Sequence, residues 1–350
     1  MVPIRETIRR MSPYQMEEDR APFVRLDANE NPYGPSPRVV GALATIPPAD
    51  LARYPDRKPL RDAIAAREGF AADMVEVSNG SDDILRNLID LVVAPGDTAV
   101  VTAPTFSMNI LFLMVREAAI RKVPFGPADT FPEEGIIAAA REAEAKLLLL
   151  VNPGAPIGAL IASAAIERVV AALPDTLVVV DEAYGEFAGV TALPLVRRYG
   201  NLVVTRTFSK AWGLAGMRVG YCFADPGIIG PLRTALSPYT LSAATIAAAL
   251  AALSDEGWMR RCVEKIVKER ERLRSLLAAL GYTVYPSAAN SVVLTGERLT
   301  ETAAYLKERG ILVRHFAKLP PLPADALRIS VGRPEDTDRL ITALKEWRNL

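Results

Sequence analysis

A lysine and an arginine, Lys210 and Arg218, share a string of small residues, S-K-A-W-G-L-A-G-M-R-V-G-Y over 209–221. The apolar run 201–205 precedes them and reads as a buried strand. A second strand, 218–224, follows after about ten residues, too few for the helical crossover that parallel neighbours need. Two such strands in one sheet must be antiparallel, which brings Lys210 and Arg218 to one sheet edge. Paired cations call for an anion, and a lysine so placed can act as an amine nucleophile. A lone lysine beyond a strand is more often a solvated surface residue. Here Gly213, Gly216 and Gly220 permit close backbone approach, and Ser209 adds a hydroxyl donor beside the amine.

Other strand ends carry the complementary chemistry. The apolar run 176–181 ends in Asp181, followed by Glu182, Ala183 and Tyr184. A carboxylate at the end of a buried strand needs a cation or a donor, because a lone buried charge is costly. Asp181 could otherwise cap a following helix. The strand 74–77 leads through S-N-G-S-D-D (78–83) into the helical pattern 84–93. Free backbone N–H groups at such a helix start bind phosphate, though Ser81 or Asp82 could equally be a plain cap. Phe106 follows the strand 98–102 and reads as a core residue. A buried strand at 146–151 runs into N-P-G-A-P-I-G (152–158).

The lysine segment resembles that of the fold-type I pyridoxal-phosphate (PLP) aminotransferases, class I/II. The string L-D-A-N-E-N-P-Y-G-P-S-P over 26–37 narrows the resemblance to the histidinol-phosphate aminotransferase group. The resemblance implies PLP as cofactor and nearly the whole chain as catalytic unit. Lys210 is then the Schiff-base lysine, with Ser209 and Arg218 as phosphate ligands and Gly80, Ser81 and Asp82 as the other half of the phosphate cup. Asp181 pairs with the ring nitrogen, Tyr184 with the 3-oxygen, and Phe106 stacks on the ring. Asn152 is a neighbour of the cofactor. Tyr54, in R-Y-P-D, reaches the partner's cofactor phosphate and so implies a homodimer with shared sites. Arg328 and Arg314 contact substrate anions, and Asn31 borders the substrate. The chain departs from the family pattern at Ala155, where an asparagine normally faces the cofactor, at Ile157 for threonine, and mildly at Asp83 for glutamate.

The elements that must position these residues alternate strand and helix from about 74 to 206, so the sheet is mainly parallel. Each candidate follows a strand end, the edge where open α/β sheets bind ligands. The implied architecture is α/β: a large domain with a mainly parallel seven-stranded sheet flanked by helices, plus a smaller α+β domain. The expected divisions are an N-terminal arm (1–35) joining the small domain, a large PLP-binding domain (36–240) and a small C-terminal domain (241–350). An Ala-rich helix at 242–253 is expected in the last of these.

The chain has 350 residues, half of them hydrophobic, enough for a large core. Its 41 basic and 41 acidic residues cancel, with no basic tract, which argues against nucleic acid or an anionic membrane as partner. No run has the roughly twenty apolar residues of a membrane span, and the first residues lack the apolar core of a signal peptide. A cytoplasmic protein is expected. Cys222 and Cys262 lack metal-ligand spacing, and His315 is the only histidine, so no metal site is expected and acid–base work falls to lysine, carboxylate, tyrosine or cofactor. The expected reaction is transamination of histidinol phosphate with 2-oxoglutarate. An aromatic amino acid aminotransferase is the alternative, and a phosphothreonine decarboxylase the more remote one. A small amino donor and a 2-oxo acid acceptor are the implied partners.

Overall fold

A computed structural model describes residues 2–12, 19–322 and 325–349. Among the described residues the strands form two sheets. The larger sheet contains β2 (Val75–Ser78), β3 (Thr98–Ala103), β4 (Ala119–Pro124), β5 (Leu147–Val151), β6 (Leu177–Asp181), β7 (Leu202–Thr207) and β8 (Gly220–Phe223). β1 (Val24–Leu26) lies in the other sheet. The order of the larger sheet is β2-β8-β7-β6-β5-β3-β4, with β8 antiparallel to both its neighbours and the remaining pairs parallel. The expected antiparallel pair is therefore β7 and β8, with Thr207 opposite Gly220.

The central strands are apolar throughout because helices cover both faces. Alternate residues divide between two cores, as a period of two requires. Val100, Leu148, Leu150, Val178, Val180 and Val204 enter one. Ala99, Val101, Leu147, Leu149, Val179 and Val203 enter the other, with Ile84, Leu85, Leu88 and Ile89 of the helix Ser81–Val92. That helix begins immediately after β2, so its first turn lies at the sheet's carboxyl edge.

The smaller sheet has the order β1-β11-β12-β10-β9, where β9 is Thr283–Val284, β10 Ser291–Thr295, β11 Ile311–Phe316 and β12 Ala326–Ser330. β1 runs parallel to β11, so the N-terminal arm does complete this sheet. Its own core joins Leu26 to Leu273, Leu277, Ile329 and Leu340. The Ala-rich helix, observed as Ala243–Leu253, differs from expectation in its packing. Ile246, Ala248, Ala249 and Ala252 enter the first core, against the helices Pro37–Ala44 and Lys58–Glu68. Its small side chains let it lie close on those helices, which charge and propensity alone do not reveal. A helix Pro226–Ala235, on which the sequence reading is silent, covers the β8 side of the second core with Ile229 and Leu232.

Candidate active site

A pocket opens at the carboxyl edge of the larger sheet. Its walls include Ser81, Asp82, Phe106, Ala155, Asp181, Tyr184, Thr207, Ser209, Lys210 and Arg218. Residues far apart in sequence meet here because parallel strands all end on one side.

The anion-binding corner is built on two close backbone approaches. Gly220 of β8 lies so near the β2–helix turn that a Cβ there would come within 2.1 Å of Ser81 N and 2.2 Å of Gly80 C. Gly80 has φ +82°, and a Cβ on it would lie 2.5 Å from Arg218 Nη2. Glycine at both positions lets the arginine rest on the helix start. Arg218 itself has φ +51°. It donates from Nη1 to Ser209 Oγ at 3.3 Å and from Nη2 to Asp82 Oδ2 at 3.2 Å. Thr207 braces Ser209: its Oγ1 accepts from Ser209 N and lies 3.0 Å from Ser209 Oγ. Asp83 turns the other way, to Ser78 Oγ and Asn87, so the shorter carboxylate still holds the turn together.

The pocket wall also holds Asp181, which is 4% exposed. Its Oδ1 accepts from Thr205 Oγ1 and Ala183 N, each at 3.1 Å. Burial, partly offset by these donors, pushes its carboxyl up to about 7. A cationic N–H facing this group would restore the carboxylate. Behind it, Glu182 is buried and bound by Arg206 through Nε at 3.1 Å and Nη2 at 3.0 Å, by Thr191 at 2.7 Å and by Ala192 N at 2.6 Å. This pair secures β6 to β7 just where each delivers its pocket residue.

Lys210 Nζ donates to Ala28 O at 2.9 Å and lies 5.7 Å from the centre of the Tyr184 ring. Tyr184 Oη accepts from Asn29 Nδ2 at 3.1 Å. The segment 27–31 thus closes over the lysine. Arg328, on β12, donates Nη2 to Asp27 O, and Arg314 stands opposite it in the β11–β12 register. Both arginines are near this closing segment rather than in the pocket wall.

Several candidates stand elsewhere than expected. Asn152 is fully buried, with Nδ2 on Ile161 O at 3.0 Å and Oδ1 on Ile161 N at 2.8 Å. Its amide closes the 152–161 turn and is not in the pocket wall; Ala155 of the same turn is. Asn31 donates to Ala211 O at 2.8 Å and accepts from Tyr33 N, so its amide ties the loop to the lysine segment. Asn29, two residues earlier, approaches the pocket instead. Its φ of +55° suits asparagine, which tolerates this backbone better than most residues. Tyr54 is 78% exposed and stacks on Tyr239 with ring centres 4.0 Å apart, outside its own chain's pocket. Thr207 also lines the pocket, and a threonine near a strand end carries no distinctive signal in the sequence.

One pocket therefore gathers an anion-binding corner, a buried carboxyl suited to a cationic N–H, an amine and a phenol. Comparison with known proteins agrees with this chemistry. The histidinol-phosphate aminotransferase of Geotalea daltonii is 38% identical, over 99% of each chain. That of Roseiflexus castenholzii is 41% identical, over 93% of this chain and 89% of its own. The crystal structure of histidinol-phosphate aminotransferase from Sinorhizobium meliloti in complex with pyridoxal-5'-phosphate superposes with a TM-score of 0.91 at 28% identity, covering 99% of this chain and 97% of that one. The family description aminotransferase class I and II matches residues 21–344. The chain belongs to the aminotransferase class I and II family.

Proposed function

We propose that this protein is a PLP-dependent aminotransferase that converts histidinol phosphate and 2-oxoglutarate to imidazole acetol phosphate and glutamate. One observation carries the reading: an amine, a buried carboxyl, a phenol and an anion corner face one pocket in a chain whose full-length relatives bear that activity in their names. The residues fit the cofactor. Asp181 lacks a cation among its hydrogen-bonding partners Thr205 and Ala183, and Arg218 and Ser209 meet at a helix start suited to phosphate.

When bound, PLP would supply electron withdrawal from the carbon that bears the reacting amine. Lys210 would hold the cofactor through its amine and, once free, would move the proton of the substrate α-carbon. Asp181 would hold the proton of a ring nitrogen, and Tyr184 would donate to the ring hydroxyl. Gly80, Ser81, Asp82 N–H, Ser209 and Arg218 would hold the phosphate, and Phe106 would cover the ring. Arg328 and Arg314 receive the substrate's anionic end, a task suited to the guanidinium fork. The two-unit division serves this role, because Lys210 comes from the larger sheet and Arg328 from the smaller.

A homodimer belongs to the same reading, with Tyr54 reaching the phosphate bound by a second copy. Its support is the exposed Tyr54–Tyr239 ring stack. A cytoplasmic location belongs to it too, supported by two buried free cysteines. Among the described residues no helix is long and apolar enough to cross a membrane.

The test is a half-reaction. The PLP-loaded protein, without acceptor, is mixed separately with histidinol phosphate, phenylalanine and O-phosphothreonine, and the visible cofactor band is followed. Rapid loss with histidinol phosphate alone is expected. Rapid loss with phenylalanine would move the assignment to aromatic amino acids, and carbon dioxide release from O-phosphothreonine would move it to a decarboxylase.

A further inference from the structure

Asn29 is 2% exposed, sits in the left-handed backbone region, and has every polar atom engaged. Its N–H donates to Ser330 Oγ at 2.8 Å, and its carbonyl accepts from Asn290 Nδ2 at 2.9 Å. Ser330 Oγ returns a hydrogen bond to Asn29 Oδ1, also at 2.8 Å. The sense of the amide follows from Ser330, whose hydroxyl oxygen accepts the Asn29 backbone N–H and whose proton goes to Asn29 Oδ1. A flipped amide would occupy both lone pairs of that oxygen with donors and take away the acceptor of the buried hydroxyl proton. The NH2 group therefore faces Tyr184 Oη at 3.1 Å and Ser291 Oγ at 3.3 Å.

Tyr184 Oη consequently accepts from Asn29. A phenol has one proton, and with Asn29 acting as donor that proton is free to point into the pocket that Tyr184 lines. Ala155, which lines the same pocket, offers no side-chain donor. Ser291 and Ser330 belong to β10 and β12, and Ser330 lies two residues beyond Arg328 on the same strand.

We infer that Asn29 is a positioning residue that directs the Tyr184 hydroxyl proton toward the cofactor's 3-oxygen, and that it does so through hydrogen bonds to the strand carrying Arg328. This deepens the PLP reading and rests on it. Docking of the smaller sheet and donation to the 3-oxygen become one event, so a substrate anion that holds β12 in place also holds the Tyr184 proton in its productive direction.

Asn29→Asp tests the inference, because aspartate keeps the shape and tolerates the backbone but presents an acceptor to Tyr184. The phenolic proton is then drawn away from the pocket. In the PLP-loaded protein the pH midpoint of the visible band should rise by about one unit, because the high-pH form leaves more negative charge on the 3-oxygen and that oxygen has lost its donor. Asp82, Asp181, Lys210 and Arg218 face the same pocket and are common to all variants. The added charge of the aspartate acts whether or not the phenol is present, so the measurement is repeated in a Tyr184→Phe background. A shift less than half as large there supports the inference; equal shifts in the two backgrounds, or none in either, overturn it. Should Asn29→Asp fail to fold, Asn29→Gly removes the donor and keeps the backbone conformation accessible, and an unchanged midpoint then overturns it. A wild-type protein that shows no lysine-bound cofactor band fails the PLP reading itself and takes this inference with it.

Discussion

Asp181→Asn should make the protein stripped of cofactor more stable, and increasingly so as pH rises. In the folded chain burial raises the carboxyl from its ordinary value of 3.8 to about 7. Below about pH 3.8 both folded and unfolded chains hold the proton, and the site carries no penalty. Between 3.8 and about 7 the unfolded chain releases the proton while the folded chain keeps it, so stability falls as pH rises. Above about 7 both are ionised and the penalty is complete. At ~1.4 kcal/mol per pH unit the full cost is about 4 kcal/mol, of which less than half is present near pH 5. Asparagine retains an Oδ1 acceptor for Thr205 Oγ1 and Ala183 N and carries no charge. Its stabilising effect should therefore grow by roughly 2–3 kcal/mol between about pH 5 and pH 8. Urea denaturation at both pH values, at one protein concentration, reads this difference directly. With PLP bound, the ring cation should relieve the carboxylate and shrink or reverse the advantage. A difference that is independent of pH, or that falls as pH rises, would refute the assignment of Asp181 as a carboxyl strained by burial.

Three further outcomes are expected. Gly80→Ala places a Cβ 2.5 Å from Arg218 Nη2 at a φ of +82°, so the guanidinium must leave the anion corner and PLP affinity should drop by roughly ten- to a hundredfold, the worth of a charge-assisted hydrogen bond; unchanged affinity by equilibrium titration would contradict this. Glu182→Gln leaves Arg206 without its buried counter-charge and should lower stability by about 3–5 kcal/mol in chemical denaturation, whereas a loss under about 1 kcal/mol would mean that Glu68 suffices. Tyr54→Phe should weaken PLP binding while the ring stack on Tyr239 keeps the local surface intact; identical affinity would remove the cross-subunit contact.

Much of the site was legible because its chemistry is tied to strand ends. Lys210, Asp181, Ser209 and Phe106 each follow an apolar run, and a parallel sheet brings such positions to one edge whatever the details of packing. The antiparallel return of β8 followed from loop length alone. The asparagines were not distinguishable, for a common reason. Asn29, Asn31 and Asn152 are the same residue type in polar, Pro-rich turns, and nothing in a one-dimensional string says which amide faces the pocket. Asn152 closes its own turn, Asn31 clamps the lysine segment, and Asn29 turns inward because β10 and β12 present Ser291 and Ser330 to it.

By itself, then, the sequence determined the class of sheet and the edge at which Lys210 and Asp181 gather, because periodicity and connection length are local properties, whereas the roles of amine, carboxyl and phenol came from the resemblance of their motifs. Only the tertiary structure decided which face of the Ala-rich helix packs on which core, which glycines admit Arg218 to the helix start, and which asparagine touches Tyr184. Those outcomes depend on contacts between segments separated by up to 301 residues, and a close approach at that range is settled by shape and hydrogen-bond geometry once the chain has closed.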